Sequence, residues 1–503
     1  MAYTAKSIGK YVQVYFTSYI GQDIVRRIKD KILGNTLDFD ITFFKGIRSG
    51  ELISRITNDT ERIRLVVSKI IPEILRESLT IVALLGVVIY QSPKLAFYSL
   101  IVLPLTLYPL RVLAKKVKKL SFSSQESISD ATSILSEIFS NIELIKTSNT
   151  EAKEFDKFAD TNKKFFNINI KQVKIAELTG PLMEILGSIG AAAVIIVGGM
   201  QVIDGTMNTG QFFSFMTALF LLYTPIKRIS RLYNQTQDAV AASNRIFSFL
   251  ETKSTIKNGT KTIQDIQTIK FEDIYMSYDN KQVLNGINID IKKGEMIALI
   301  GDSGAGKSSI INLLARFYDS SSGQILLNDT EIKDIDIKNL RDHLAIVTQK
   351  VYIFNDTIAQ NVSYGKPYDE AKVKSALKKA YLLDFVESLS EGIHTKLDES
   401  GTNLSGGQAQ RISIARAFYK DPDIFIFDES TSSLDNASEK EILNIIKEIK
   451  RDKIIIMIAH KLSAIQDADK ILIFSKGQIV DEGSHTQLLE SSPKYQKLLN
   501  NTK

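Results

Sequence analysis

Apolar positions in the first half of the chain come in long, nearly unbroken runs, whereas after about residue 265 short apolar runs alternate with amphipathic stretches. Four runs, 70–90, 95–113, 178–203 and 210–230 (its greasy part ending at Ile226), approach the roughly 20 residues a helix needs to cross a bilayer. Residues 8–20 are apolar and aromatic over a shorter length, and the helical pattern runs on through DIVRRIKDKILG, so 1–33 reads as a partial span. Between spans, 21–68 and 114–177 keep apolar residues at helical spacing without continuous grease, which predicts helices projecting beyond the bilayer. Each segment breaks once, at FFKGIRSGEL (43–52), where Gly46 and Gly50 permit a turn, and at NIELIKTSNTEA (141–152). Residues 251–268 are polar and read as a linker. The expected fold is an all-α polytopic membrane domain over 1–250, followed by an α/β P-loop domain over 269–503.

The net charge of +6 sits largely in clusters beside the spans: Arg26, Arg27, Lys29 and Lys31, then RVLAKKVKKL (111–120), then KRISR (227–231). Basic residues near span ends are retained on the cytoplasmic side, so these clusters predict topology rather than binding to nucleic acid. The connections QSPK (91–94) and DGTMNT (204–209) read as outer turns, which leaves the α/β half cytoplasmic. Zero cysteines exclude disulfides and thiolate metal sites, and four scattered histidines form no ligand cluster. Lys6 and Lys10 interrupt the first apolar stretch, so it does not read as a cleavable signal. Ionisable residues at membrane depth by default face a protein interior or a watery cavity. Arg76, Glu77, Glu184 and Lys227 are such residues, an internal Arg-Glu pair being the plain alternative to a binding role.

The densest chemistry lies at IGDSGAGKSS (300–309), which fits the phosphate-loop pattern from Gly301 through Ser308. Asp302, Ser303, Gly304, Ala305, Gly306 and Ser309 complete a backbone able to wrap a polyphosphate at a helix N-terminus. Lys307 supplies charge to the outer phosphates, and Ser308 offers a hydroxyl to Mg²⁺. Tyr278 is placed to stack on a purine. Gln349 closes the strand LAIVTQ (344–349), after which the chain turns helical to about residue 390. In NLSGGQAQRISIARAF (403–418), Ser405, Gly406, Gly407 and Gln408 open a helix where hydroxyl, bare backbone and dipole converge on an anion. The strand in DIFIFDES delivers Asp428, a Mg²⁺ ligand through water, and Glu429, a base or orienter for attacking water. His460 ends a further strand, KIIIMIA (453–459), within reach of a γ-phosphate.

Together these motifs resemble the ATP-binding cassette family over essentially the whole chain. GDSGAGKS resembles Walker A, IFIFDE Walker B and LSGGQ the family signature. Gln349 resembles the Q-loop, Tyr278 the A-loop aromatic, SSLD (432–435) the D-loop and His460 the switch histidine. A membrane domain followed by a cassette is similar to a bacterial half-transporter exporter of the type I (type IV fold) class. The resemblance implies ATP and Mg²⁺ as cofactors, Gln349 as a further metal ligand, and a homodimer whose composite sites set Lys307 of one copy against Ser405 of the other. It also implies that 43–59 and the KTSNTEA region (146–152) contact the cassettes.

Through SRITND, LRESLTIVALLG and YTPIKRIS the membrane half most resembles the lipid A flippase branch, in which basic residues lining the inner cavity hold phosphorylated glucosamines. Lys6, Arg76 and Lys227 fall at matching positions. That implies flipping of an amphipathic lipid of lipid A-core type across the bacterial inner membrane, without nucleic acid. A multidrug or peptide exporter is the alternative of the same architecture. A cassette ATPase fragment that does not transport, or a soluble cassette acting on nucleic acid, are alternatives of other classes. The family has six spans per half, so the first span and most of its outer loop are expected to be missing here. TKLDESG (395–401) also departs from the family's TxVGERG.

Overall fold

The computed structural model describes residues 1–47, 49–278, 281–398, 401–429, 436–459, 461 and 465–500. The chain forms two compact units, Met1–Lys31 with Ser54–Phe249, and Ile32–Ile53 with Leu250–Lys503.

The first unit is built of long helices. Helix α1 (Ala2–Leu37) would reach about 54 Å at 1.5 Å per residue. The short α2 (Ile41–Gly46) and all of α3 (Ser49–Ser54) but its last residue fall in the second unit; in the first, a rod runs through α4 (Thr60–Leu65) and α5 (Ile71–Gln91), with wide π-type turns at Arg55–Asp59 and Val66–Ile70. Helices α6 (Pro93–Ser140), α7 (Ile142–Thr147), α8 (Glu151–Ile203) and α9 (Thr209–Glu251) follow. Ser92 caps α6 by accepting from the Leu95 amide at 3.3 Å, and Pro93 occupies the first turn, where its missing N–H costs nothing.

Polar contacts tie these rods together in two antiparallel registers. Gln91 donates to Ser214 at 3.1 Å, Arg228 to Glu77 at 2.9 Å and Arg245 to Asp59 at 2.9 Å, each step from α5 back to the wide turn at Arg55–Asp59 matched by a step along α9. Likewise Ser92 donates to Gln201 at 3.2 Å, Ser124 to Asn169 at 2.8 Å and Lys157 to Glu137 at 3.1 Å along the α6/α8 pair. Val88, Leu95, Val194, Phe215 and Leu222 fill the core where α5, α6, α8 and α9 meet. Ile185, Ile189, Ile195, Ile196, Phe220 and Leu221 instead stay exposed, an apolar surface of the kind that lipid or another protein covers. Among the described residues, α8 and α9 each contain a stretch long and apolar enough to cross a membrane.

The second unit carries two sheets. An antiparallel sheet is ordered β2 (Lys281–Lys292), β1 (Thr268–Tyr278), β4 (Ser322–Leu327) and β5 (Thr330–Glu331). In the six-stranded sheet β10 (Gln478–Gly483) pairs antiparallel with β9 (Lys470–Ser475), and parallel pairing then runs through β3 (Met296–Gly301), β8 (Ile454–Ile458), β7 (Ile424–Asp428) and β6 (Leu344–Val347). Every residue of β3 and β8 is buried, as the unbroken runs MIALIG and IIIMI require of strands covered on both faces. The covering helices include α10 (Lys307–Leu314) and α11 (Ile337–Asp342). A helical group follows, of α12 (Ile358–Val362), α13 (Glu370–Lys379), α14 (Leu383–Ser388) and α15 (Gly406–Lys420), and then α16 (Asn436–Ile449). Because β3, β6, β7 and β8 are parallel, their carboxyl ends share one edge, where ligands bind in open α/β sheets.

Candidate functional site

The phosphate loop leaves the end of β3 and enters α10 at Lys307. Gly301 has φ 141°, and a Cβ there would stand 2.2 Å from the Phe474 carbonyl oxygen, so neither conformation nor space admits a side chain. Gly304 at φ 76° has open space about it and leaves bare backbone facing that space. The buried Lys307 ammonium donates to the carbonyls of Gly301 at 2.7 Å and Asp302 at 3.1 Å. Burial pushes its pKa below the ordinary lysine value, against the pull of the Glu429, Asp302 and Asp428 carboxylates. Those opposing charges bring Asp428 and Glu429 into the field of the phosphate loop. Asp302, Ser303, Gly304 and Ser308 lie exposed around the loop, while Ala305, Gly306 and Ser309 are buried beneath it. This donor set fits a nucleoside triphosphate with a hard cation.

Glu429 adopts φ 50°, uncommon for a residue with a side chain, and its amide donates to the Ile458 carbonyl at 3.0 Å. Backbone held in such a conformation clusters at functional sites, where surrounding pairing over-determines it. Here β7 is held between β6 and β8.

Gln349 does not end β6 as the sequence suggests. The strand stops at Val347, and Gln349 stands exposed in the bend beyond. Gln410 on α15 donates to the Thr348 carbonyl at 3.4 Å, tying the helix behind LSGGQ to that bend. At the start of α15, Ser405 accepts from the Gln408 amide at 3.2 Å while its own amide donates to the Gln408 side chain at 2.8 Å, a closed capping box. Ser405 and Gly406 are exposed at that end, with Gly407 beside them half-buried. His460, SSLD (432–435) and the 399–400 part of TKLDESG lie outside the described residues.

Tyr278 closes β1. Its hydroxyl accepts from Asn312 on α10 at 3.1 Å, and its ring meets Tyr318 edge-on with centroids 4.9 Å apart. Lys45 of α2 stands 5.3 Å above the Tyr278 centroid and 5.0 Å above that of Tyr318. Asp40 anchors α2 at its start. Burial alone would raise its pKa, but hydrogen bonds from Thr255, Phe43 and Ser254 outweigh that and hold the carboxyl below its ordinary value.

In the helical unit Arg76 is engaged by Glu77, and Arg228 of α9 donates to the same carboxylate oxygen, each at 2.9 Å. The carboxylate is buried and both guanidiniums are about half-exposed, so the cluster carries one excess positive charge. Lys227 lies 5.9 Å from the Tyr223 ring centroid, and Lys6 is exposed on α1. Sequence reasoning passed over Arg228, Asn312 and Lys45. Arg228 left a trace as the neighbour of Lys227 within KRISR, and Lys45 as part of the 43–59 stretch expected to contact the cassettes; Asn312 left none.

An apolar helical unit joined to a phosphate-loop unit with a signature helix defines an ATP-hydrolysing membrane transporter. Residues 1–226 match the family model of the ABC transporter transmembrane region, and residues 284–432 the family model described as ABC transporter. The chain belongs to the ABC transporter family. It is 38% identical over 502 residues to an ATP-dependent lipid A-core flippase of Syntrophus aciditrophicus (strain SB), covering 99% of this chain and 84% of that protein. It is 37% identical to a protein of the same description from Desulfotalea psychrophila, covering 98% and 87%. Among solved structures it resembles a bacterial Atm1-family ABC exporter with ATP bound, at a TM-score of 0.81 and 25% identity over 99% of this chain and 89% of that one.

Proposed function

We propose that this chain flips a phosphorylated amphipathic lipid of lipid A-core type across the bacterial inner membrane, driven by ATP hydrolysis between two copies. The observation that carries the substrate class is the Arg76–Glu77–Arg228 cluster: two guanidiniums on one buried carboxylate leave excess charge for a phosphate. Near-full-length similarity to proteins named lipid A-core flippases supports the same reading. Lys6 and Lys227 would add cationic contacts.

In the cassette, Gly301 to Ser309 wrap the phosphates, Lys307 holds the outer ones and Tyr278 stacks on the base. Ser308, Gln349 and, through water, Asp428 would hold Mg²⁺, which neutralises charge on the transferred phosphoryl. Glu429 accepts the proton of the attacking water and His460 contacts the γ-phosphate. Ser405, Gly406, Gly407 and Gln408 of a second copy cover the nucleotide, which makes the working form a homodimer.

The test is ATPase activity of the purified chain in nanodiscs. Lipid A should stimulate it in a vanadate-sensitive way. Stimulation by drugs or peptides but not lipid A would replace this reading with a multidrug or peptide exporter.

A further inference from the structure

The Lys45 ammonium is shared by two tyrosine rings, those of Tyr278 and Tyr318. Tyr278 is the ring proposed to stack on the purine, and its hydroxyl is fixed by Asn312 on the helix that opens with Lys307. Tyr318 meets Tyr278 at 87°, so the pair forms a corner with the cation beside both faces. The nearness of Tyr318 raises the Lys45 pKa against the effect of burial, with a smaller contribution from Tyr278. The helix α2 that presents it is pinned by Asp40 to Thr255 in the linker. A cation drawn to an aromatic face both restrains the ring and withdraws electron density from it, and an electron-poor ring stacks better on an electron-rich purine.

We propose that Lys45 is a positioning residue for the nucleotide base: it orients and polarises Tyr278, so that α2 senses adenine through the ring on which adenine stacks. The inference rests on the stacking role of Tyr278. Because coupling free energies are reciprocal, a bound base must in turn tighten the hold of the ring on α2.

The experiment measures equilibrium binding of ATP and of inorganic tripolyphosphate to the full chain without Mg²⁺, so that nothing is hydrolysed. Lys45→Ala should weaken ATP about 3- to 10-fold, the span of a partly desolvated cation–π contact. It should leave tripolyphosphate unchanged, Lys45→Arg should restore ATP affinity, and in a Tyr278→Ala background Lys45→Ala should cost nothing more. Wild-type ATP affinity in Lys45→Ala, equal loss for tripolyphosphate, or an undiminished loss in the Tyr278→Ala background would each overturn the proposal. Normal ATP binding by Tyr278→Ala alone would instead remove the stacking assignment, and the inference with it.

Discussion

Arg228 on α9 and Glu77 on α5 are 151 residues apart in sequence and 2.9 Å apart in space, on the same carboxylate oxygen that Arg76 engages. If the surplus charge there receives lipid phosphate, Arg228→Ala should raise the lipid concentration needed for half-maximal ATPase stimulation about 10-fold, the worth of one charge-assisted contact. Basal hydrolysis should change far less. Equal loss of both activities would mark the cluster as a folding element only.

Glu429→Gln keeps the shape and removes the proton acceptor. Phosphate release should fall by roughly 10²- to 10⁴-fold while ATP affinity is retained. Turnover near wild type in a phosphate-release assay would take Glu429 out of the role of base.

Burial lowers the Lys307 pKa in the nucleotide-free protein, and bound phosphates would raise it again. A group with the higher pKa in the complex favours binding when protonated. ATP affinity should therefore hold through neutral pH and decline as pH rises toward the ordinary lysine range, beginning at the lowered value of the free protein. Titrations across alkaline pH check the sign, and affinity that rises there would contradict the placement of Lys307 on phosphate.

The Arg245–Asp59 pair joins α9 to the wide turn at Arg55–Asp59, with the Asp59 side chain only 9% exposed. Arg245→Ala strands that carboxylate and should cost about 3 kcal/mol of stability. A shift in the thermal unfolding midpoint reads it. The milder Arg245→Lys, which keeps the charge but loses the forked geometry, should fall between the two.

The legible parts of this protein were those whose meaning is local. The β3–loop–α10 passage could be read because glycine spacing and a flanking buried strand are contiguous in sequence, and the same holds for the helix start at Ser405 and Gly406, though not for the capping box that Ser405 closes with Gln408 there. The bend at Gln349 was misplaced by two residues, since a polar Thr-Gln pair continues strand alternation as readily as it ends it. Arg228, Lys45 and Asn312 escaped for a different reason. Each owes its role to a partner on another element, and no period of 2 or 3.6 points to it. That Ile32–Ile53 groups with the cassette accords with the contact that the resemblance implies for 43–59, although hydropathy alone would leave it with the helices it interrupts.

The two antiparallel registers bear on how force could travel. A rod latched at Gln91, Glu77 and Asp59 to its neighbour resists sliding, because any slip of one notch would break every latch together and leave buried charge stranded. Such a pair moves as one stiff lever or not at all, and its give is concentrated where the helical winding is loosest, at the two wide turns between Arg55 and Ile70.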